Sequence, residues 1–355
     1  MVKENFKVII GMGQTGFSVA KYLSATGVED CMVDDNPDPA RLSELQVMQP
    51  GVEVKQMDVE LLLKASEIIV SPGFPLSRPE FEAVRGQGIS ITGDVAMFGD
   101  LANAPVIAIT GSNGKSTVTS MVSACASDQV PGTYIAGNIG TPCLDVLTED
   151  AELYVLEVSS FQLELATQLP VKVAVVLNLS PDHMDRYSSV EDYYGVKANI
   201  YKRCEIAILN RDINYEFETG TAQRITFGSD APMNDSDFGI RNIHSGPVLC
   251  RGQTELLPVA ELRQKGGHDV KNVLASLAIG DAAGLDLFRM LDSLLNFEGL
   301  PHRCELVGHI NGAAYINDSK ATNVGASISA IESFGAGRNI ILILGGESKE
   351  GDFSL

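Results

Sequence analysis

Two units of strand, glycine loop and helix constrain the fold of this chain more than any other feature. The first glycine loop, residues 11–16 (Gly-Met-Gly-Gln-Thr-Gly), follows an apolar run at residues 6–10. The second, residues 110–117 (Thr-Gly-Ser-Asn-Gly-Lys-Ser-Thr), follows an apolar run at residues 106–109. A glycine loop that leads from a buried strand into a helix is typical of α/β proteins with parallel sheets. We therefore predict an α/β fold in which each unit opens its own doubly wound sheet.

Short β-branched runs alternate with helical stretches along the rest of the chain, as expected for that fold class. We predict buried strands at residues 6–10, 68–70, 106–110, 154–158, 173–177, 206–209 and 340–344. We predict helices at residues 15–26, 116–126 and 270–283. Two further strands are predicted at residues 89–92 and 314–319. Residues 210–260 are rich in Gly, Asp and Asn and predict an irregular excursion with short strands.

Two glycine-containing breaks divide the chain. One falls at Gly93-Asp94 after a short strand, and the other at Gly299-Leu-Pro301, where a helical stretch ends. The length of 355 residues also favours two or three domains. We place three domains at residues 1–93, 94–299 and 300–355. The last is about half of a typical domain, so we expect the sequence to be a fragment of a longer protein.

The charge balance restricts the classes of partner. The chain carries 26 Lys and Arg against 46 Asp and Glu, a net charge of −20. Proteins that bind duplex DNA or anionic lipid surfaces carry an excess of basic residues, so we expect neither nucleic-acid nor membrane partners. Phosphorylated ligands stay possible, because backbone N–H groups and one lysine can hold them. The six cysteines are scattered without a C-x-x-C pair, and no export signal precedes the first strand, so we expect a cytoplasmic protein with reduced thiols.

The first glycine loop fits the G-x-G-x-x-G fingerprint of dinucleotide-binding proteins, with Asp34 and Asp35 at about the expected distance. One reading is an oxidoreductase that binds NAD. The same turn can hold any diphosphate at a helix N-terminus. A tight turn that needs glycine only for packing is a third reading, and the motif alone does not separate the three.

The second glycine loop indicates a nucleoside triphosphate. Its spacing is G-x-x-G-K-S, two residues shorter than the usual P-loop. In such loops the backbone N–H groups surround a phosphate, the lysine (Lys115) reaches the β- and γ-phosphates, and the hydroxyl of Ser116 binds Mg²⁺. A chain that carries both glycine loops does not fit a simple dehydrogenase.

Polar residues at predicted strand ends supply candidate metal ligands and cations. Glu157 ends one strand, and residues 182–186 (Asp-His-Met-Asp-Arg) follow the next, at the edge where open α/β sheets bind ligands. Lys197 alone would be read as a surface helix lysine. Asp318 and Lys320 lie two apart on the predicted strand 314–319 and so share a face. Arg303 and Lys320 are cations that suit the charge on a transferring phosphoryl group, although a solvated strand end is an equal alternative.

Taken in order, these motifs resemble the ATP-dependent Mur ligases of peptidoglycan synthesis, and within them the members that add D-glutamate. The segments that carry the resemblance are residues 11–16, 71–73 (Ser-Pro-Gly), 111–117, 137–140 (Gly-Asn-Ile-Gly), 157–162 (Glu-Val-Ser-Ser-Phe-Gln), 182–187 (Asp-His-Met-Asp-Arg-Tyr), His268 with Asn272, 300–303 (Leu-Pro-His-Arg), 317–323 (Asn-Asp-Ser-Lys-Ala-Thr-Asn) and 344–349 (Leu-Gly-Gly-Glu-Ser-Lys). The shortened P-loop also occurs in the similar folylpolyglutamate synthetases.

The resemblance implies an N-terminal Rossmann-like domain, a central P-loop NTPase-like domain with a mostly parallel sheet, and the start of a C-terminal Rossmann-like domain. It implies ATP and two Mg²⁺ ions as cofactors, and UDP-N-acetylmuramoyl-L-alanine and D-glutamate as substrates. It also implies a monomer in the bacterial cytoplasm. Some members have Thr-Arg after the acidic residue near the uracil, where this chain has Asn36-Pro37.

The resemblance also assigns roles to residues. The UDP substrate would be held by Gln14, Thr15, Asp35, Asn36, Ser71, Gly73, Asn138, Gln162 and His183. ATP would be held by Gly111, Asn113, Gly114, Lys115, Ser116, Thr117, Asn272, Arg303 and Asp318. D-glutamate would be held by Lys320, Thr322 and Lys349. The magnesium ions would be held by Ser116, Glu157, His183 and a carbamylated Lys197. The catalytic set would be Lys115, Glu157, His183, Lys197 and Arg303.

Three alternatives stay open from the sequence. The first is an NAD-binding oxidoreductase, and the second is another Mur ligase or a folylpolyglutamate synthetase-like ligase. The third is a chain that binds nucleotide and UDP-sugar without catalysis. If the chain is truncated, we expect UDP-substrate binding to survive and ligation to be lost.

Overall fold

A computed structural model describes residues 6–50, 52, 54–263, 267–335 and 339–346 of the chain. The described residues form three sheets, of five, nine and two strands. The two larger sheets each begin with one of the two strand and glycine-loop units, and the predicted α/β class is confirmed. Among these residues, none of the helices has the length and apolar character needed to cross a membrane.

The first sheet is parallel throughout and has the order β3-β2-β1-β4-β5. Its strands are β1 (Phe6–Ile10), β2 (Glu29–Val33), β3 (Val54–Lys55), β4 (Glu67–Val70) and β5 (Ser90–Thr92). Its helices are α1 (Gln14–Thr26), α2 (Pro39–Met48), α3 (Val59–Leu62) and α4 (Pro79–Gly86). Asp38 and Asp58 cap α2 and α3 by accepting from the backbone N–H groups of Ala40 and Glu60.

The second sheet has the order β14-β13-β12-β11-β10-β9-β6-β8-β7, which is parallel from β7 to β12 and antiparallel beyond. Its strands are β6 (Val106–Thr110), β7 (Thr133–Gly137), β8 (Leu153–Glu157), β9 (Val171–Val176), β10 (Cys204–Asn210), β11 (Gln223–Phe227), β12 (Phe238–Ile243), β13 (Gly246–Arg251) and β14 (Thr254–Pro258). The helices from this part of the chain are α5 (Asp94–Leu101), α6 (Lys115–Ser127), α7 (Ser160–Leu165), α8 (Val190–Ala198), α9 (Gly267–Ala283) and α10 (Leu287–Leu295).

The central strand β6 is buried on both faces, which explains its unbroken apolar sequence. Ile107 and Ile109 pack in one apolar cluster with residues of α6, α9 and α10. Ala108 points to the other face, because side chains alternate along a strand, and it belongs to a second cluster that also contains Phe98 of α5 and Val19 of α1. This second cluster is shared by both large sheets and fixes the two glycine loops relative to one another.

The third sheet is the antiparallel hairpin of β15 (Glu305–Ile310) and β16 (Ala313–Asn317), and helix α11 (Val324–Gly335) follows it. Asn311 and Gly312 form its two-residue turn with φ of +50° and +80°, the pattern that favours a tight hairpin. Helix α11 contacts α9 of the central part.

Three local predictions from the sequence were wrong. Residues 340–344 form no strand, and Ile341 and Ile343 are about nine-tenths exposed, because no neighbouring strand among the described residues pairs with them. The short strands predicted in residues 210–260 are present, but they form no irregular excursion, since β11 to β14 extend the central sheet. Strand β16 ends at Asn317, so Asp318 and Lys320 lie in the turn beyond it and not on one strand face.

Candidate active site

The second glycine loop connects β6 to α6 through two residues in conformations that favour glycine. Gly114 has φ of +80°, and a Cβ there would lie 2.8 Å from Oδ1 of Asn272. Gly111 approaches the backbone of Asn178, and a Cβ there would lie 3.3 Å from its nitrogen. The loop therefore brings its backbone close to β9 and α9 and directs the free N–H groups at the start of α6 to one side, the arrangement that binds phosphate.

Asn178, just past β9, holds this loop in place. Its Oδ1 accepts from the backbone N–H of Asn113 at 2.8 Å, and its Nδ2 donates to the carbonyl of Asn113 at 2.8 Å. The hydroxyl of Ser112 donates to the carbonyl of Ser180 at 2.8 Å. No role for Asn178 was predicted from the sequence, although its place at the carboxyl end of a parallel strand is where ligand-binding residues are expected.

Two lysine side chains meet at one carbonyl of the loop. Nζ of Lys115 donates to the carbonyls of Gly111 and Ser112 at 2.9 and 3.0 Å, and Nζ of Lys197 donates to the same Gly111 carbonyl at 2.9 Å. Lys197 is only 1% exposed, so the reading of it as a surface lysine was wrong.

Burial lowers the pKa of both amines, and the amine of Lys115 lowers the pKa of Lys197 further. The carboxylates of Glu157 and Asp182 oppose this shift without cancelling it. A buried lysine with a lowered pKa supplies the neutral amine that reacts with CO₂, so Lys197 is chemically suited to carbamylation.

Glu157 is the last residue of β8, and its two carboxylate oxygens differ in their hydrogen bonding. Its Oε1 accepts from Nδ2 of Asn138 at 2.7 Å, while Oε2 is buried and has no hydrogen-bond partner among the described residues. A buried carboxylate oxygen without a partner is costly, and a divalent cation would satisfy it. No group of three or more His, Cys, Asp and Glu side chains in the described part of the chain could hold a metal. An ion at Glu157 would therefore need other oxygens, such as those of Ser116, a modified Lys197 or phosphate.

The loop that follows β9 carries His183 and links the central sheet to the first one. His183 has φ of +56°, and its ring centroid lies 4.7 Å from that of Phe161. Arg186 forms a bidentate pair with Glu164, at 3.1 and 2.7 Å, and donates to the carbonyl of Phe74 at 3.2 Å. The segment around His183 is thereby tied to the loop that contains Ser71 and Gly73.

Arg303 reaches the P-loop from the third segment. Its guanidinium donates to the hydroxyl of Ser116 at 2.8 Å. Next to this contact lies a cavity of about 490 Å³ between the loop, α9 and the third segment. The lining includes six of the residues assigned to ATP and one assigned to D-glutamate, namely Asn113, Gly114, Thr117, Asn272, Arg303, Asp318 and Lys320. Thr322 is exposed next to it, and Lys349 lies outside the described residues.

The first glycine loop also depends on glycine for packing. A Cβ on Gly16 would lie 1.8 Å from the carbonyl oxygen of Gly11, so the start of α1 rests directly on the loop. The hydroxyl of Ser71 donates to the same carbonyl at 3.1 Å. Gln14 and Thr15 begin α1, whose first turn approaches Ser71 at Gly16. Four of the residues assigned to the UDP substrate therefore surround this loop or the strand end facing it: Gln14, Thr15, Ser71 and Gly73.

The two acidic residues after β2 have different partners. Asp34 accepts from the backbone N–H groups of Met12 and Asn36, at 2.7 and 2.9 Å, so its carboxylate supports the glycine loop itself. Asp35 accepts from the N–H of Met57 and from Arg78, and these bonds hold the pKa of its carboxyl below the ordinary value. An ionised Asp35 at this loop can accept hydrogen bonds from a ligand.

Asn138, Gln162 and His183, also assigned to the UDP substrate, lie in loops and a helix that follow strands of the central sheet. Gln162 completes a capping box with Ser159 at the start of α7 and also hydrogen-bonds to the buried Asp94. Asn138 contacts Glu157, as described above. The structure therefore places the nine assigned residues in two groups, one at the first glycine loop and one at the central sheet. The Arg186 to Phe74 contact connects the two groups.

All six cysteines are free, and Cys31, Cys125, Cys143 and Cys250 are buried. Burial raises the pKa of Cys125 to about 12. These properties agree with thiols that serve packing.

Comparison with known families gives two matches. Residues 5–93 match the family described as "Mur ligase MurD-like, N-terminal domain". Residues 109–280 match the family described as "Mur ligase middle domain". The first match contains the first glycine loop, and the second contains the P-loop, Glu157, His183 and Lys197.

Curated relatives are similar over the whole chain. A UDP-N-acetylmuramoylalanine–D-glutamate ligase from Pseudomonas syringae pv. tomato is 42% identical over 360 residues, covering 100% of this chain and 80% of the relative. A ligase of the same name from Hahella chejuensis is 44% identical over 351 residues, covering 98% of this chain and 78% of the relative.

Solved structures share the fold. MurF from Acinetobacter baumannii aligns with a TM-score of 0.56 at 17% identity, over 92% of this chain and 70% of that chain. UDP-N-acetylmuramate-alanine ligase MurC from Thermotoga maritima aligns with a TM-score of 0.53 at 19% identity, over 92% of this chain and 78% of that chain. Because both family models match and these relatives are more than 40% identical, the chain belongs to the Mur ligase family.

Proposed function

We propose that this chain is an ATP-dependent ligase that joins D-glutamate to UDP-N-acetylmuramoyl-L-alanine through an acyl phosphate. The observation that carries the proposal is the convergence of Lys115, the unpartnered oxygen of Glu157 and Arg303 on the P-loop. The names of the 42% and 44% identical relatives support D-glutamate as the amino acid that is added. They also support UDP-N-acetylmuramoyl-L-alanine as the acceptor.

The first step transfers a phosphoryl group. A carboxylate oxygen of the L-alanyl group attacks the γ-phosphorus of ATP in line, the bond from that phosphorus to the β,γ-bridging oxygen breaks, and ADP leaves. Attack brings two anions together, so cations must neutralise the charge that develops. Lys115 and Arg303, which hydrogen-bond to residues of the P-loop, are the cations proposed for this role.

The second step forms the amide. The amine of D-glutamate attacks the acyl carbon, the bond from that carbon to the phosphate oxygen breaks, and inorganic phosphate leaves while the nitrogen loses a proton. Lys320, Thr322 and Lys349 are the proposed contacts for D-glutamate. Lys320 lines the cavity beside Arg303, which supports its part in this set.

Magnesium fits the residues at this site. Glu157 offers a buried oxygen that has no partner in the described part of the chain, and Ser116, His183 and a carbamylated Lys197 are the other proposed ligands. When bound, Mg²⁺ would supply charge neutralisation on the phosphates of ATP. Carbamylation would turn Lys197 from a cation into an anionic oxygen ligand. A carbon-13 signal from labelled bicarbonate that is lost in Lys197→Arg would test this modification.

The other readings have less support. An NAD-binding oxidoreductase would leave the P-loop, with Lys115 and Arg303 hydrogen-bonded at it, without a role. The match of residues 5–93 to the N-terminal domain of MurD-like Mur ligases favours a UDP substrate over a folate. We propose that domains 1–93, 94–299 and 300–355 bind the UDP substrate, ATP and D-glutamate respectively, and that the protein acts as a monomer in the bacterial cytoplasm.

Binding calorimetry separates these readings. We expect UDP-N-acetylmuramoyl-L-alanine and ADP to bind with one site each, while NAD and a folate do not bind. The variant Ser71→Val loses the hydroxyl beside the first loop. It should bind the UDP substrate more weakly and bind ADP with unchanged affinity. Binding of NAD or a folate in place of the UDP substrate would overturn the proposal.

A further inference from the structure

We propose that Asn323 is a positioning residue that couples the P-loop to helix α11 of the third segment. It does so through an amide clasp of three side chains, Asn323, Asn113 and Asp182. Nδ2 of Asn323 donates to Oδ1 of Asn113 at 3.0 Å and to Oδ2 of Asp182 at 2.9 Å. Nδ2 of Asn113 donates back to Oδ1 of Asn323 at 3.3 Å. The inference rests on the proposed nucleotide site.

The same side chain of Asn323 also starts helix α11. Its Oδ1 accepts from the backbone N–H of Ala326 at 2.8 Å, the bond of a helix N-cap. Both donors and the acceptor of this amide are thus engaged at once. Because the cap and the clasp use one short side chain, α11 cannot keep its first turn in this position if the amide of Asn113 moves away.

The loop side of the clasp is rigidly held. The backbone of Asn113 is fixed on both its N–H and its carbonyl by Asn178, and its side chain also donates to the hydroxyl of Ser180 at 3.3 Å. The clasp therefore connects a fixed phosphate-binding loop to a segment 210 positions further along the chain. Lys320 and Thr322 lie immediately before Asn323, so the clasp also determines where these proposed D-glutamate contacts lie.

A helix cap and the clasp predict different effects of substitution at Asn323. The cap needs only a hydrogen-bond acceptor, whereas the clasp also needs a donor. In Asn323→Asp the carboxylate can still accept from Ala326, and aspartate is as good an N-cap as asparagine. It cannot donate to Asn113 or Asp182, and it places a second negative charge beside Asp182. The double variant Asp182→Asn with Asn323→Asp exchanges the two groups. It restores one amide donor and one carboxylate acceptor and has the same net charge as the unchanged protein.

The test combines calorimetry with hydrogen exchange in the presence of Mg²⁺ and saturating ADP. In the unchanged protein, ADP should slow exchange at residues 115–127 and also at residues 324–335. Asn323→Asp should bind ADP about tenfold more weakly, since one charge-assisted hydrogen bond to Asp182 and one neutral hydrogen bond to Asn113 are lost. When saturated with ADP, this variant should still show slowed exchange at residues 115–127 but no slowing at residues 324–335. The double variant should recover the ADP affinity and the slowed exchange at residues 324–335.

Each result decides between the roles. If Asn323→Asp behaves like the unchanged protein and only Asn323→Ala is impaired, Asn323 is a helix cap and the coupling is refuted. A double variant that is no better than Asn323→Asp would also refute it. If the unchanged protein binds no ADP, the proposed nucleotide site itself is wrong, and this result is distinct from the first two.

Discussion

At the scale of single residues, we expect Lys115 to have the most direct effect on turnover. Its amine is buried against the P-loop carbonyls, where it can reach phosphates that enter the loop. We expect Lys115→Ala, and likewise Glu157→Ala, to lower ATP-dependent phosphate release at least about a hundredfold, the effect typical of losing a preorganised charge partner. Lys202→Ala, the same change at an exposed lysine, is the control, and phosphate release near the wild-type rate in either site variant would contradict the assignment.

Asp94, at the start of α5, makes stability depend on pH. Burial raises the pKa of its carboxyl to about 6, and one of its oxygens has no hydrogen-bond partner among the described residues. A raised folded-state pKa means that the folded state favours the protonated form. The stabilisation from this group is therefore complete below the unfolded value near 3.8 and is lost as the pH rises through 6.

Asp94→Asn removes the buried charge and keeps the shape. At pH 8 we expect it to raise the free energy of unfolding by about 2 kcal/mol, and at pH 4 we expect no gain. Urea denaturation at both pH values measures the difference. Asp100→Asn, at an exposed position of the same helix, should show no such dependence on pH. A gain of equal size at both pH values would show that the negative charge of Asp94 does not cause the pH dependence of stability.

At the scale of elements, the first glycine loop contains one glycine that close packing requires and one that it does not. A Cβ on Gly16 would meet the carbonyl of Gly11 at 1.8 Å, whereas a Cβ on Gly13 would meet nothing within 4 Å. We expect Gly16→Ala to destabilise the protein by at least about 2 kcal/mol, because a backbone atom cannot give way as a side chain can. Gly13→Ala should leave the melting temperature nearly unchanged. Equal melting temperatures would refute the close packing of α1 on the loop.

The strand and glycine-loop units were predictable from sequence because their signals are local. An apolar run and a following glycine motif place β1 and β6, and the structure starts α1 and α6 within one residue of the prediction. Residues 340–344 show the limit of such reasoning. Their composition is that of a buried strand, but a strand also needs a neighbour to hydrogen-bond with, and composition does not reveal whether one is present.

Contacts between distant parts of the chain were not predictable. Lys197 has the sequence surroundings of an exposed helix residue, and only the packing of α8 against the P-loop buries it. Asn178 and Asn323 are ordinary loop residues in sequence, and their roles arise from bonds to Asn113 across 65 and 210 positions. The assigned nucleotide residues could be grouped by resemblance, but the cavity that unites them comes from the tertiary fold.

At the scale of the whole molecule, an acidic protein is proposed to bind two polyanionic substrates. The net charge of −20 would repel them at long range. We propose that backbone N–H groups at the starts of α1 and α6, together with Lys115 and Arg303, provide the local attraction instead. The apolar cluster shared by the two large sheets holds both loops in one framework.

The most direct test of this function is phosphate release from ATP by the whole protein as its cell makes it. It is measured with UDP-N-acetylmuramoyl-L-alanine and D-glutamate added singly and together. We predict sustained release only when both are present, with one UDP-N-acetylmuramoyl-L-alanyl-D-glutamate formed for each phosphate. Sustained release that needs neither compound, or release with both present but without the ligated product, would contradict the proposed ligase.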